Sequence, residues 1–193
     1  LSPMLDLPAA LPALPNPTDI PVVALKNAVK ALLFIMEKGF DQEPIIKAIN
    51  LETNQPHFEF NAVDEIEAIV DYQEPLEYLY EPNAAILKSG AFKSLALQFD
   101  LSKLAQHSHL YTSSEHKKEF PGKIYVIEKV LHYHKKKLKP HITGQKANVK
   151  TRNFPESVSQ LKKEFKINDG GDKFFIFTTF KERKWVLECK IYN

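Results

Sequence analysis

The sequence predicts a mixed fold, in which an α/β portion at the start of the chain is followed by a small α+β domain of βαβαββ order. Two patterns lead to this prediction. In the first 60 residues, apolar runs of strand length alternate with one amphipathic helical stripe, which is typical of α/β layering with some parallel pairing. In the last 70 residues, strand and helix patterns alternate and finish in two adjacent strand patterns. We therefore expect two differently built regions.

The apolar runs of the first region define its expected elements. The run at 22–25 predicts a central strand, and the runs at 45–49 and 57–60 predict two more. A helix with Asn27 as its N-cap is predicted between the first two strands, because apolar residues recur at helical spacing at positions 29, 32, 33 and 36. This region is thus predicted to form the closing strands of a Rossmann-like sheet.

The middle of the chain changes character twice. Residues 63–80 are acidic and are expected to form a connector that contains one helix. Pro82 suits the first position of a helix, and residues 81–118 predict short helices around Gly90. An extended segment is expected at 109–113.

Residues 119–193 have the most regular pattern of the chain. Apolar alternation predicts strands, and apolar positions at i, i+3 and i+7 predict helices. The expected strands lie at 124–127, 148–152, 174–180 and 185–192, and the expected helices at 133–142 and from 154 to 165.

Composition excludes several classes of protein. The chain has 193 residues, of which 44% are hydrophobic and 26% charged, so a fully disordered protein is excluded. No apolar run reaches the ~18 residues of a membrane span. A single cysteine, Cys189, excludes an internal disulfide, and we expect it to be buried. Cysteine usage of this kind predicts a reducing, cytoplasmic location.

The net charge of +2 conceals a strong division. Residues 1–80 hold four Lys and no Arg against thirteen acidic residues, whereas residues 81–193 hold 22 basic residues against eleven acidic ones. Such a division indicates nucleic-acid contact, or two regions with different functions.

The strongest functional signal is a basic stretch at 117–152, with eleven Lys and Arg against two glutamates, interleaved with Tyr125, Tyr133 and three histidines. Clustered cations neutralise phosphates, and aromatic rings stack on unpaired bases. A solvated helix face is the alternative interpretation. The candidate RNA-binding residues are Lys117, Lys118, Lys123, Lys135, Lys136, Lys137, Lys139, Lys146, Lys150, Arg152 and Asn153.

Six short motifs resemble one known family. They occur in matching order over nearly the whole chain: Leu1-Ser-Pro-Met-Leu-Asp6, Tyr80-Glu-Pro-Asn-Ala-Ala-Ile-Leu-Lys-Ser-Gly90, His109-Leu-Tyr-Thr-Ser113, Phe120-Pro-Gly-Lys123, Arg152-Asn-Phe-Pro155 and Gly170-Gly-Asp172. Together they resemble bacterial class I S-adenosylmethionine-dependent methyltransferases that end in a THUMP-like domain. The resemblance implies that the parent protein methylates tRNA or rRNA and that this part presents the RNA.

The resemblance also implies a division of the chain. It places the tail of the methyltransferase domain at 1–62, an acidic connector at 63–80, a ferredoxin-like helical segment at 81–118 and a THUMP-like domain at 119–193. Ser2 and Pro3 would line the substrate site, although a strand-ending turn is the simpler interpretation.

The family's cofactor motifs have no counterpart in this sequence. The six glycines form no G-x-G-x-x-G pattern, so we expect S-adenosylmethionine to bind the parent protein and no cofactor to bind this chain. The non-Met start at Leu1 is expected of a fragment, and the chain alone is expected to be inactive.

The remaining patterns predict no chemistry. No residue is a candidate catalytic nucleophile, and His132-Tyr133-His134 lacks the companions of a metal site, so no catalytic or metal-ligating residue is expected. A different class of function stays open: a structural or protein-interaction module without RNA binding, whose basic domain docks onto an acidic surface such as residues 61–80.

Overall fold

The computed structural model describes residues 5, 7 and 16–192. The chain forms two compact units whose segments alternate along the sequence. Of the described residues, unit 1 comprises those up to residue 70 together with 82–101 and 117–122, and unit 2 comprises 71–81, 102–116 and 123–192. The predicted positions Ser2 and Pro3 lie outside the described residues.

Unit 1 contains a four-stranded sheet in the order β2-β1-β3-β4. β1 and β3 run parallel, whereas β2 and β4 pair antiparallel with them at the two edges. The strands are β1 (Asp19–Leu25), β2 (Ala28–Leu32), β3 (Ile45–Leu51) and β4 (Phe58–Asn61). The three predicted strands of this region are therefore confirmed, with one parallel pair as expected.

The helix predicted after Asn27 is wrong, because this segment is the second strand of a hairpin. Lys26 and Asn27 form its turn with φ angles of 48° and 65°. A two-residue turn with positive φ at both positions matches the twist of antiparallel strands, and Asn is among the residues that adopt it. The Asn27 side chain accepts the N–H of Ala84, and its own N–H donates to Asn50, so the residue caps nothing in its own segment.

Between residues 16 and 122, unit 1 also contains three short helices: α1 (Ala62–Glu67), α2 (Ala84–Ser89) and α3 (Lys93–Gln98). The prediction of Pro82 as the first residue of a helix is wrong, because Pro82 ends β5. The N-cap of α2 is Asn83, whose side chain accepts the N–H of Ile86 at 3.1 Å. α2 packs against β1 and β3, and the core between them is formed by fully buried apolar side chains: Ile20, Val22, Ala24, Ile46, Ala48, Ala85 and Ile86.

Unit 2 is built on a seven-stranded sheet in the order β6-β7-β5-β8-β11-β10-β9. β10 pairs parallel with β9 and antiparallel with β11. The strands are β5 (Tyr78–Pro82), β6 (Ser102–Lys103), β7 (Tyr111–Ser113), β8 (Gly122–His132), β9 (Asn148–Arg152), β10 (Lys173–Phe180) and β11 (Arg183–Ile191).

Two helices, α4 (Lys135–Ile142) and α5 (Val158–Phe165), cover one face of this sheet. The core beneath them contains buried side chains from both helices and from β9, β10 and β11: Leu138, Ile142, Val149, Leu161, Phe165, Phe175, Phe177 and Val186. The opposite face packs under the β6–β7 connection, through Leu104 and Leu110.

The predicted βαβαββ order of the last region is confirmed by β8, α4, β9, α5, β10 and β11. Its four strands do not form a small sheet of their own, however, because β5, β7 and β6 extend the sheet beyond β8. The period of the apolar residues predicts elements but carries no information on which strand lies beside β8.

Candidate nucleic-acid interface

Six of the predicted RNA-binding residues fall into two groups with different surroundings. Lys135, Lys136, Lys137 and Lys139 lie on α4 and are exposed. Lys150 and Arg152 lie on β9, on the opposite face of the sheet from α4, and are partly buried. The structure therefore separates residues that are close in the sequence.

The four lysines of α4 face outward because the helix has one narrow apolar stripe. Leu138 and Ile142, four residues apart, are its buried residues, and residues at this spacing share one face of a helix. The remaining positions of α4, including Pro140 and His141, are exposed. The helix is therefore a cationic ridge held to the sheet by two side chains.

α5 and its C-cap add three further lysines that were not selected from the sequence: Lys162, Lys163 and Lys166. The helix begins with a capping box, in which the Ser157 side chain accepts the N–H of Gln160 and the Gln160 side chain accepts the N–H of Ser157. The apolar spacing at 158, 161 and 165 fixes its inner face and already placed Lys163 on the outer face. Lys162 is partly buried and binds Asp169.

A groove of about 510 Å³ runs between α4 and α5. Charged and polar side chains line most of it, with one aromatic and one aliphatic residue: Tyr133, Lys135, Lys139, Glu156, Gln160, Leu161, Lys163 and Glu164. The Glu164 carboxylate lies between two of these lysines. One of its oxygens is 3.6 Å from Lys135 Nζ, and the other is 3.5 Å from Lys139 Nζ.

An aromatic cluster supports one end of this groove. Tyr133 donates its hydroxyl to Glu156 at 3.2 Å, and burial together with Glu156 raises the pKa of Tyr133 to about 12. Lys184 also binds Glu156, and its Nζ lies 5.6 Å from the centroid of the Tyr133 ring and 5.3 Å from that of Phe154. The Glu156 carboxylate is thus engaged within the protein.

Lys150 and Arg152 both bind the buried carboxylate of Glu81. Arg152 Nη2 lies 2.6 Å from Glu81 Oε1, Lys150 Nζ contacts Oε2, and the Tyr125 hydroxyl donates to Oε2 at 2.9 Å. Glu81 is only 4% exposed. Burial raises its pKa, but Lys150, Arg152 and Tyr125 outweigh that effect and hold the pKa of Glu81 below its ordinary value. Glu81 and its three partners therefore form an internal charge cluster, which sequence reasoning did not foresee.

Arg152 also begins a row of polar atoms across three neighbouring strands. Arg152 pairs with Thr178, and Thr178 pairs with Trp185, so the three side chains share one face of the sheet. Among the described residues, the buried atoms Arg152 Nε, Thr178 Oγ1 and Trp185 Nε1 have no hydrogen-bond partner. This row is a costly feature, because buried polar groups are normally paired.

The other predicted residues lie apart from α4 and α5 along the chain. Lys117, in unit 1, binds Asp100 at 3.0 Å, and Lys118 and Lys123 are exposed. The exposed Lys146 lies over Gly170, where an added Cβ would come within 3.0 Å of its Cε. Asn153 follows β9 with a φ of 50° and donates to the Thr179 carbonyl oxygen at 3.3 Å.

His132 and Cys189 carry side chains of the types that bind metals. His132 packs its ring against Trp185, with centroids 4.8 Å apart, and the described residues contain no group of three potential metal ligands. Cys189 is a free, buried cysteine, and burial raises the pKa of its thiol. Across residues 16–192, every helix falls short of the length and apolar character needed to cross a membrane.

Comparison with known proteins assigns two parts of the chain. Residues 78–121 match a family model described as a ferredoxin-like domain, and residues 122–190 match one described as THUMP domain-like. The chain carries a ferredoxin-like and a THUMP-like domain. This confirms the two domain types expected from the sequence. β5, β6 and β7 come from the first match, and the rest of the seven-stranded sheet comes from the second.

A solved structure resembles the whole chain. The crystal structure of a candidate methyltransferase from Porphyromonas gingivalis W83 matches 100% of the chain with a TM-score of 0.93 and 35% sequence identity. The chain covers 50% of that protein and so spans about half of its length. A search among curated proteins found no match.

Proposed function

We propose that this chain is the C-terminal part of an RNA methyltransferase and that its THUMP-like domain docks tRNA or rRNA through α4 and α5. The observation that carries the proposal is the charge of this surface. Residues 135–142 and 156–166 hold seven lysines and two glutamates. Glu156 is engaged by Tyr133 and Lys184, and Lys162 is paired with Asp169. Six lysines then remain against Glu164, so positive charge dominates the field outside the two helices.

Such a surface suits the backbone of RNA better than its base edges. Lysine side chains on a convex helical ridge reach phosphates, which carry charge and no sequence information. The expected contribution is therefore affinity and orientation, with the choice of nucleotide made elsewhere. The THUMP-like match and the Porphyromonas gingivalis structure support a role beside a methyltransferase domain.

In the proposed parent protein, the four-stranded sheet of unit 1 is the end of a Rossmann-like sheet, and S-adenosylmethionine binds to the preceding half. The described residues do not fit this cofactor. Its adenosyl group usually rests on a glycine-rich turn between a strand and a helix. The strand-to-helix connections within residues 16–192, at 61–62, 83, 133–134 and 153–157, contain no glycine. We therefore assign no step of methyl transfer to this chain. Ser2 and Pro3 are proposed to line the substrate site, and the parent protein is proposed to be bacterial and cytoplasmic.

Binding of fluorescently labelled tRNA and rRNA fragments over a series of salt concentrations tests the proposal. Affinity should fall with salt, by a slope of about −0.7 in log–log form for each phosphate of a single strand that is neutralised. The double variant K136E/K137E should bind more weakly and with a shallower slope, because both side chains are exposed on α4.

The matched control is K30E/K38E, which reverses two exposed lysines of unit 1 and should keep the wild-type affinity. Equal losses in both variants would show that net charge alone governs binding. If wild-type protein binds no RNA at low salt, the RNA-docking role is wrong, and the alternative of a structural or protein-interaction module replaces it.

A further inference from the structure

We propose that the groove between α4 and α5 is a subsite for one RNA phosphate, and that the Glu164 carboxylate holds its lysines in the free protein until RNA displaces it. This inference rests on the proposed function and adds to it a specific contact and a built-in competitor.

Lys135 and Lys139 share one carboxylate, that of Glu164. The two lysines are four residues apart on α4 and share one face of the helix. Each lysine approaches a different oxygen of Glu164, at 3.6 Å and 3.5 Å. A carboxylate and a phosphodiester both present two oxygens that share one negative charge. The side chain of Glu164 thus occupies the position that a phosphate would take between two lysines.

The remaining lining of the groove supplies donors for the same anion. Lys163 and the side-chain amide of Gln160 line the groove beside Glu164. The other glutamate, Glu156, is bound to Tyr133 and Lys184 and does not contact the α4 lysines. When the Glu164 side chain turns away, the three lysines of the groove and the Gln160 amide surround the position that its carboxylate occupied. A volume of about 510 Å³ lies within the range of small-ligand sites and is wide enough for a phosphate with its ribose.

The exposure of the pairs makes displacement easy. Lys135 and Lys139 are 52% and 55% exposed, and the Glu164 side chain is 33% exposed. Ion pairs in such contact with water contribute little, because water and salt already screen them. A phosphate can therefore take over both lysines without breaking a strong contact, while Glu164 lowers the affinity by keeping a negative charge close by.

The test measures RNA affinity and its salt dependence for wild type and E164Q. E164Q keeps the size of the side chain and removes the competing charge, so affinity should rise several-fold, and the slope should steepen by up to ~0.7. E182Q is the control, since Glu182 is an exposed acid of the β10–β11 turn in the same unit. A gain in E182Q equal to that in E164Q would overturn the subsite, because it would reflect net charge alone.

A double-mutant cycle separates the subsite from a general field effect. In the wild-type background, K135A/K139A should weaken binding, because the single carboxylate of Glu164 offsets only one of the two positive charges and RNA displaces it. In the E164Q background, K135A/K139A should cost more affinity than in the wild type, because it also removes the gain that E164Q produced. If E164Q keeps its higher affinity without Lys135 and Lys139, the inference is wrong. Thermal unfolding of each variant shows that it is folded.

The outcomes distinguish this inference from the proposed function. Absence of RNA binding in every variant contradicts the proposed function. Binding that depends on Lys136 and Lys137 but is unchanged in E164Q leaves the docking surface intact and contradicts the phosphate subsite alone.

Discussion

The carboxylate of Glu81 on β5 binds the guanidinium of Arg152 on β9 at 2.6 Å, although three strands separate β5 from β9 in the sheet. Neighbouring strands lie about 4.8 Å apart, so a flat sheet would place these two strands ~19 Å from each other. Two side chains cannot span that distance. The sheet must therefore curve towards this face. The Glu81–Arg152 ion pair connects a strand of the ferredoxin-like match to a strand of the THUMP-like match.

This relationship predicts that Glu81 is a main source of stability in unit 2. E81Q removes the negative charge and leaves Lys150 and Arg152 partly buried beside each other, which should cost about 3 kcal/mol in the free energy of unfolding. Urea denaturation of the whole chain measures the loss. The control is E128Q, which breaks the more exposed pair with Lys190 and should cost less than about 1 kcal/mol.

The pH dependence of the same variant follows from the lowered pKa of Glu81. A carboxyl group whose pKa is lower in the folded state stabilises the fold above its unfolded value of 4.5, and this stabilisation is lost as the pH falls through the folded value. The difference in the free energy of unfolding between wild type and E81Q should therefore become smaller as the pH falls below 4.5. A constant difference down to strongly acidic pH would contradict the role of the Glu81 charge.

Glu81 also shows which part of the molecule a sequence can reveal. The run of lysines on α4 was visible because neighbours on a helix are neighbours in sequence. The three partners of Glu81 are 44, 69 and 71 residues away, and no local pattern connects them to it. For the same reason, Lys150 and Arg152 could not be separated from the α4 lysines before the strand pairing was known.

The hairpin at Lys26 and Asn27 shows a second limit. Asn is favoured both at the N-cap of a helix and at positive φ in a tight turn. The apolar positions 29, 32 and 33 satisfy a helical spacing, yet in β2 Leu32 is buried, whereas Leu33 just beyond the strand is 46% exposed. The competing signals were of similar strength, and pairing with β1 decided between them. The last region had no such conflict, so its order of elements could be predicted.

His109 should lower the free energy of unfolding as the pH falls from about 6.5 to 4. Burial, with further contributions from Lys103, His107 and Arg152, lowers the pKa of His109 to about 4. Between pH 4 and 6.5 the unfolded chain therefore binds more protons at this residue than the folded chain, and the free energy of unfolding decreases as the pH falls.

The variant H109N tests this expectation. Asn does not titrate, and it tolerates the left-handed conformation of this residue, whose φ is 50°. Urea denaturation at several pH values should give a flatter profile for H109N than for wild type between pH 4 and 6.5. Parallel profiles for the two proteins would show that His109 is not the group responsible.

Two buried threonines should respond oppositely to the same substitution. The hydroxyl of Thr112 donates to the Tyr78 carbonyl oxygen and accepts the N–H of Leu76, both at 2.8 Å. The hydroxyl of Thr178 is fully buried without a partner among the described residues. T112V should destabilise the protein by about 1–3 kcal/mol, whereas T178V should be neutral or stabilising, since it removes an unpaired polar group. A loss in T178V as large as that in T112V, measured by urea denaturation, would show that Thr178 has a hydrogen-bond partner in solution.

Glu65 connects the acidic helix α1 to helix α3 within unit 1. Its carboxylate accepts three backbone N–H groups at the start of this helix, those of Phe92, Lys93 and Ser94, at 2.7–3.0 Å. The helix has no side-chain cap of its own, so Glu65 satisfies N–H groups that would otherwise lack a partner. Lys93 in turn donates to the carbonyl oxygens of Ile66 and Ala68 at the end of α1.

We therefore expect E65A to lower the free energy of unfolding by about 1–2 kcal/mol, the usual cost of a lost helix cap with its favourable charge. The exposed Glu67 lies on the same short helix, so E67A is a matched control and should change stability by less than about 0.5 kcal/mol. Hydrogen exchange locates the effect, because the amides of residues 92–94 should exchange faster in E65A alone. If these amides keep their protection in E65A, another group caps α3, and Glu65 does not stabilise the start of this helix.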